Sequence, residues 1–230
     1  MLRTVCLWAS LLICCAAQAD GFAVVPLRVE LGPGRTGSLT VTNTGEAKTF
    51  EARAMSWKQE NRNDSYAQTD DVLLAPTTFR LEKGAVQVVR VQLNRPQDAA
   101  EHAYRIFIDE VAAAQEVRPN TLKTLVSMAV PLFVAPSSGP VAKGDAALSA
   151  LLENDVLKIE LRNTGKANLK LREWVVSSAK AGELLKVPSA AYVLVGNTLK
   201  GDYPLKFQAD GPMKLKVITD RGTFSADVKR

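Results

Sequence analysis

The 230-residue chain has a single histidine, His102, and three cysteines, Cys6, Cys14 and Cys15. A Ser-His-Asp arrangement would have to use His102, and no G-x-S-x-G elbow is present to supply its nucleophile. The cysteines all lie in the first fifteen residues, a segment that reads as a targeting leader. The mature chain beyond that leader therefore has no thiolate nucleophile, disulfide or zinc–thiolate set. Asp64 and the pair Asp70-Asp71 sit in NRNDSYAQTDD, a polar stretch that reads as a solvated loop rather than a cation site. The glycines of LGPGRTG (31–37) join two extended segments and open no helix, so they form no phosphate cradle. No catalytic residue, metal ligand or cofactor site is expected.

Charges embedded in apolar strands are more informative. Arg28 lies in VVPLRVEL, Arg90 in VQVVRVQL and Arg105 in AYRIFIDEV. On any half-buried strand, an arginine on the polar face simply meets water. Arg90 differs, because Val86 and Val88 share its face while Val89 and Val91 take the other. Both faces of that strand read as buried, and a buried arginine needs a partner.

These residues are carried by a chain that reads as strands throughout. Residues 1–19 hold Arg3, an apolar run from Thr4 to Ala16, and Ala17-Gln18-Ala19 before Asp20, the pattern of a cleavable signal peptide. The apolar run is too short to span a membrane. Losing Arg3 with the leader takes the formal net charge from +5 to +4, and no Lys/Arg run marks a nucleic-acid surface. Alternating segments are expected at 22–31, 36–43, 47–56, 65–75, 85–94, 103–111 and 121–136, the pattern of an immunoglobulin-like sandwich. APSSGPVAKGD (135–145) reads as a linker. A second series is expected at 146–152, 155–163, 167–176, 182–187, 191–195, 203–208, 212–219 and 222–229. LTVTNTGEAKTFEARAMSW (39–57) and IELRNTGKANLKLREWVV (159–176) share a strand, an Asn-Thr-Gly turn, a strand and a tryptophan. Positive φ at Asn43 and Asn163 is the expected way to turn those hairpins. The fold class is all-β, two immunoglobulin-like sandwiches in tandem and set at an angle, with domains at 20–136 and 137–230.

TLKTLVSMAVPLFVAP (121–136) is long and apolar for a strand. Pro131 cannot donate to a central ladder, so a sheet edge is expected. Long apolar edges are an aggregation hazard that proteins normally blunt.

In order along the chain, these features resemble the periplasmic chaperones of chaperone–usher pilus assembly. LLAPTTFRLEKGAVQVVRVQL (73–93) is similar to the family's Pro, Leu-x-x-Gly and Val-Arg-Val pattern, and EHAYRIFIDEV (101–111) to its Glu-x-x-Tyr-Arg signature. The resemblance implies that the strand before the linker is donated to a pilus subunit lacking its own final strand. The inserting row would be Leu122, Thr124, Val126 and Met128. Arg28 would grip the subunit's C-terminal carboxylate. Arg90, Glu101 and Asp210 would form an interdomain ion-pair network. The family's better-known members place a second carboxylate-binding lysine where this chain has Pro131. Arg90 and Lys143 are the candidate replacements, and the departure is similar to the family's archaic branch. The implied partners are pilus subunits and an outer-membrane usher in the periplasm, with no nucleic acid. Self-association through the donor strand is a further expectation.

Two other readings stay open. A tandem immunoglobulin-like adhesin or pilus component would bury the 122–134 row internally. An exported hydrolase would depend on His102.

Overall fold

Alternation of buried and less buried residues marks many of the strands, those at Val86–Leu93 and Met213–Thr219 most regularly. The computed structural model describes residues 21–60, 63–112, 124–205 and 211–230. The leader, Leu122 and Asp210 lie outside the described residues. The strands are β1 (Phe22–Val25), β2 (Val29–Leu31), β3 (Thr36–Asn43), β4 (Lys48–Glu60), β5 (Asn63–Gln68), β6 (Val72–Ala75), β7 (Thr78–Leu81), β8 (Val86–Leu93), β9 (His102–Val111) and β10 (Ser127–Val134). After the linker come β11 (Ala146–Glu153), β12 (Val156–Asn163), β13 (Leu169–Ser178), β14 (Gly182–Pro188), β15 (Tyr192–Val193), β16 (Thr198–Pro204), β17 (Met213–Thr219) and β18 (Gly222–Lys229).

β1-β3-β8-β6 form one sheet, and β2-β10-β9-β4-β5 form a second, with β7 paired to β4. The inward rows of the two sheets enclose a core that includes Leu39, Val41, Phe50, Val89, Val91, Tyr104, Ile106 and Ile108. In the second half, β14-β13-β17-β18-β11-β12-β16 run as one sheet. β18 is antiparallel to β17 and parallel to β11, so the sheet folds over on itself there. Its halves enclose Leu157, Ile159 and Leu161 against Leu171, Trp174, Leu215 and Val217. The molecule is two tandem immunoglobulin-like β-sandwiches.

The internal repeat is physical, although its mechanism differs from the expected one. Neither Asn43 nor Asn163 has positive φ. Each is fully buried at a strand end and staples its turn with its side chain. Asn43 Oδ1 accepts from Gly45 N–H, and its Nδ2 donates to the carbonyls of Glu46 and Leu81. Asn163 does the same with Gly165, Ala167 and Val193. Asn43→Ala would leave buried carbonyls without donors, so urea denaturation should show a loss of about 1–3 kcal/mol.

β7 is not among the expected strands; of the strand expected at 203–208, residues 206–208 lie outside the described residues, and β16 runs from Thr198 to Pro204. Gly201 and Pro204 interrupt its apolar pattern. Gly201 leaves room for the Tyr203 ring, whose Cε2 would lie 2.5 Å from an added Cβ.

Tyr104 is 2% exposed and donates to Asp71 Oδ2 at 2.9 Å, and Arg95 also reaches Asp71, at 3.3 Å. Burial, and then the Asp71 carboxylate, push the Tyr104 hydroxyl up to about 12. A folded pKa above the unfolded value of about 10 means stability is fully present below pH 10 and falls as pH rises toward 12. The loss amounts to about 2–3 kcal/mol at roughly 1.36 kcal/mol per pH unit. Urea midpoints measured from pH 9 to 12 should fall more steeply for the wild type than for Tyr104→Phe.

Candidate functional site

β10 has an asymmetric environment. On one flank it pairs antiparallel with β9 along its whole length, from Ser127↔Asp109 to Val134↔His102. On the other, β2 pairs with it in parallel only over Leu132↔Val29 to Val134↔Leu31. Among the described residues, 127–131 have no neighbour on that side. The strand is therefore an edge for its first part, through Pro131, and interior for its last, which narrows the expectation of a sheet edge. Glu110 N–H donates to Val126 O at 3.0 Å, so even-numbered residues turn their backbone groups toward β9. Ser127, Ala129 and Pro131 turn theirs to the open side, and Pro131 has no N–H to leave unpaired there.

Side chains follow the same alternation. Val130, Leu132 and Val134 belong to the first sandwich's core, and Met128 packs against it. Of the expected inserting row, Met128 is thus partly committed to its own domain. Thr124 is exposed, and Val126 is 39% exposed beside Leu125 at 44%. Phe133 points the other way, into a cluster between the domains with Trp57 and Leu194. Gln59 braces that junction, donating to Tyr192 O at 3.0 Å and accepting from Leu194 N–H at 2.9 Å.

Arg28 lies at the point where β2 begins to cover β10. It is 20% exposed, with Nη1 3.0 Å from Asp220 Oδ2 in the second domain and Nη2 2.5 Å from Glu30 Oε1. The guanidinium lies over Phe133 and Tyr192, 4.8 and 5.7 Å from the ring centroids. Burial works against its charge, but Glu30 and the hydrogen bond to Asp220 outweigh this, and its pKa is raised. Its Nε is buried without an acceptor. Asp220 also accepts from Lys170 N–H through Oδ1, at 2.9 Å. Arg105 reaches Ala129 O at 3.5 Å on the open side of β10 and stacks 4.0 Å over Trp57.

Of the expected ion-pair network, Asp210 lies outside the described residues, and Arg90 and Glu101 have separate surroundings. Arg90 is exposed, on an outer sheet face whose neighbours Val86 and Val88 are 55% and 47% exposed. Among the described residues that face carries no second layer, and valines there reflect strand preference rather than burial. Arg90 is flanked by Ser38 and Ala75 and makes no ion pair among the described residues. Glu101, 5% exposed, is instead held by Asn168, whose backbone N–H and Nδ2 each donate at 2.7 Å, with Arg221 Nη2 3.9 Å away. Burial pushes the Glu101 carboxyl up, and those partners pull it part of the way back. Arg221 also donates to Asn168 O and to Val141 O in the linker. Lys143 is exposed in that linker.

Sequence reasoning missed Asp220, Arg221, Lys170, Tyr192 and Gln59. Asp220 and Arg221 read only as the tight turn between β17 and β18. His102 bonds Asp98 at 2.5 Å, and no serine, threonine or cysteine side chain among the described residues bonds to it. No group of three or more His, Cys, Asp or Glu side chains among the described residues could hold a metal ion.

Tandem immunoglobulin-like sandwiches, with a half-open strand leading into an arginine-lined cleft, define a β-sandwich binding protein. More specifically, the chain belongs to the pili and flagellar-assembly chaperones. The model for that family, described for the PapD N-terminal domain, matches residues 22–140. No curated protein sequence matches the chain significantly. Its fold is shared with a chain of the CsuC–CsuE chaperone–tip subunit pre-assembly complex from archaic chaperone–usher Csu pili of Acinetobacter baumannii. That match has 16% identity and a TM-score of 0.64, covering 91% of this chain and 98% of the other. The E. coli chaperone DraB is similar at 22% identity and TM-score 0.57, covering 91% and 97%. A structure of the Salmonella enterica SafA pilin with the SafB chaperone matches at 18% identity and TM-score 0.57, covering 92% and 98%.

Proposed function

We propose that this pilus-assembly chaperone holds exported pilus subunits by lending them the open flank of β10, and passes them to an outer-membrane usher. The observation that carries this reading is the step in β10's pairing. An extended segment added beside 127–131 would take the line that β2 occupies from Val29 onward. Run parallel to β10, as β2 does, it would have to end where Arg28 sits, which brings a chain's C-terminal carboxylate to a guanidinium. Backbone bonds along the slot tolerate many client sequences, while alternate side chains set register. Thr124 and Val126 remain the inserting side chains of this proposal. Met128 contributes what its own core leaves exposed, and Leu122 extends the row.

The same reading places the protein in the periplasm, exported by residues 1–19, with a donor domain at 20–136 and a second domain at 137–230. The chaperone family is non-enzymatic, and no catalytic role or cofactor is proposed. The energy would come from the client's own folding.

The test is affinity capture of tagged protein from the periplasm of cells shown to be making pili. One small exported subunit at near-equal stoichiometry is expected. A preparation with no partner would overturn the proposal in favour of a structural immunoglobulin-like component.

A further inference from the structure

If Arg28 receives a client's carboxylate, proline at position 131 leaves open which group supplies a second positive charge. Arg90 lies on the outer sheet face and Lys143 in the exposed linker. From the geometry of the cleft we infer that Lys170, on the second domain's strand β13, is the second carboxylate-binding cation and shares the ligand with Arg28. The inference rests on the reading of the cleft as a carboxylate site.

Both cations lie against the Tyr192 ring. Lys170 Nζ lies 5.5 Å from the Tyr192 ring centroid, and the Arg28 guanidinium lies 5.7 Å from the same centroid. Asp220 bridges them, with Oδ2 on Arg28 and Oδ1 on the Lys170 backbone N–H. Lys170 is half-buried, and among the described residues its ammonium forms no ion pair and no hydrogen bond. Its four-carbon stem lets it swing over Tyr192 toward an anion.

The two carboxylates already on Arg28 are not equivalent. Asp220 is 21% exposed and is tied to Lys170's backbone in both directions, by its side chain and by its own N–H to Lys170 O at 2.9 Å. Glu30 is 55% exposed, and no other partner for it is seen among the described residues. Exposed pairs of this kind contribute little. An incoming carboxylate therefore replaces Glu30, while Asp220 stays to orient Arg28. The new anion lies within reach of Lys170, and the site draws one cation from each domain. It binds fully only when the two domains keep the angle set by Gln59 and Arg221.

The experiment uses the full chain and a fluorescein-labelled octapeptide alternating serine and valine, made with a free C-terminal carboxylate and as the C-terminal amide. Fluorescence polarisation gives both Kd values for the wild type, Lys170→Met, Lys170→Arg and Arg28→Met. The wild type should bind the acid more tightly than the amide by about thirtyfold, as charge-assisted bonds allow. Lys170→Met should cut that ratio by about tenfold without changing amide affinity, and Lys170→Arg should restore it. A ratio unchanged in Lys170→Met but lost in Arg28→Met overturns the role of Lys170 and leaves the cleft reading standing. Equal loss for acid and amide in Lys170→Met makes the lysine structural and also overturns its role. Equal binding of acid and amide by the wild type overturns the carboxylate reading itself, and the inference with it. Failure of both peptides to bind overturns both readings.

Discussion

Replacing Ala129 with proline is expected to abolish client capture while leaving the chaperone folded. Ala129 is exposed, its backbone N–H faces the open flank of β10, and its partner across the β9 ladder is Phe107. Because the β9 bonds are made by even-numbered residues, Ala129→Pro removes none of them. Pro131, two residues on, already occupies a position of the same parity. On the open side the change removes a donor and places a pyrrolidine ring where an added strand must lie. Backbone bonds are the sequence-tolerant part of strand addition, each with a net value of about 1 kcal/mol. Losing one and displacing its neighbours should weaken capture by about 100-fold. Periplasmic pull-down from piliated cells measures the capture, and a thermal melt measures the fold. Val130→Pro is the opposite control. It breaks a β9 bond and removes a side chain that is 2% exposed, so it should unfold the first domain. If Ala129→Pro captures client normally, strand addition at this edge is wrong. The proline is also a cleaner probe than acidic residues at Val126 and Met128, because Met128 packs against its own core.

The second large effect is expected at Arg28. Arg28→Met keeps a long apolar side chain against Phe133 and Tyr192 but removes the guanidinium that lies over their rings. Client affinity should fall by about 10–100-fold, the range for losing hydrogen bonds to a charged group. The companion variant is Asp220→Asn, which removes the interdomain ion pair but leaves Arg28 in place. Its Oδ1 can still accept from Lys170 N–H. If Arg28 serves the client, Asp220→Asn should keep affinity within about threefold of the wild type, since all that changes is one partly exposed ion pair. If both variants lose affinity equally, Arg28 acts by holding the domain angle, and the anchor assignment fails. Quantitative pull-down and thermal melts of the two variants, run side by side, separate these outcomes.

Much of the molecule is legible in the sequence because alternation is a local property. Strands β3, β8, β9, β12, β17 and β18 follow the pattern of apolar and polar residues closely. The long strand before the linker is recognisable from its length, its two apolar rows and Pro131. The interruptions are less legible. β1 and β2 read as one strand over 22–31 because the apolar run continues through Leu27, although Pro26, with no N–H to give a ladder, marks the break between them. Arg90 departs from its expected burial for a related reason. Valine at every second position specifies a strand, but whether that face is covered depends on what packs over it.

The sequence alone determined the two-sandwich architecture, the repeated Asn-Thr-Gly turn and the presence of an arginine at position 28. Each comes from side-chain period or turn chemistry within a dozen residues. Only the tertiary structure decided that β10, among the described residues, is unpaired on one flank over 127–131 and covered by β2 from Leu132 onward. It alone gave Glu101 the partners Asn168 and Arg221, and it brought Lys170, Tyr192 and Asp220 to Arg28 from more than 140 positions away. Contacts between separately folded domains leave no periodic trace, because each partner sits in a turn or at a strand end whose local sequence is satisfied without it.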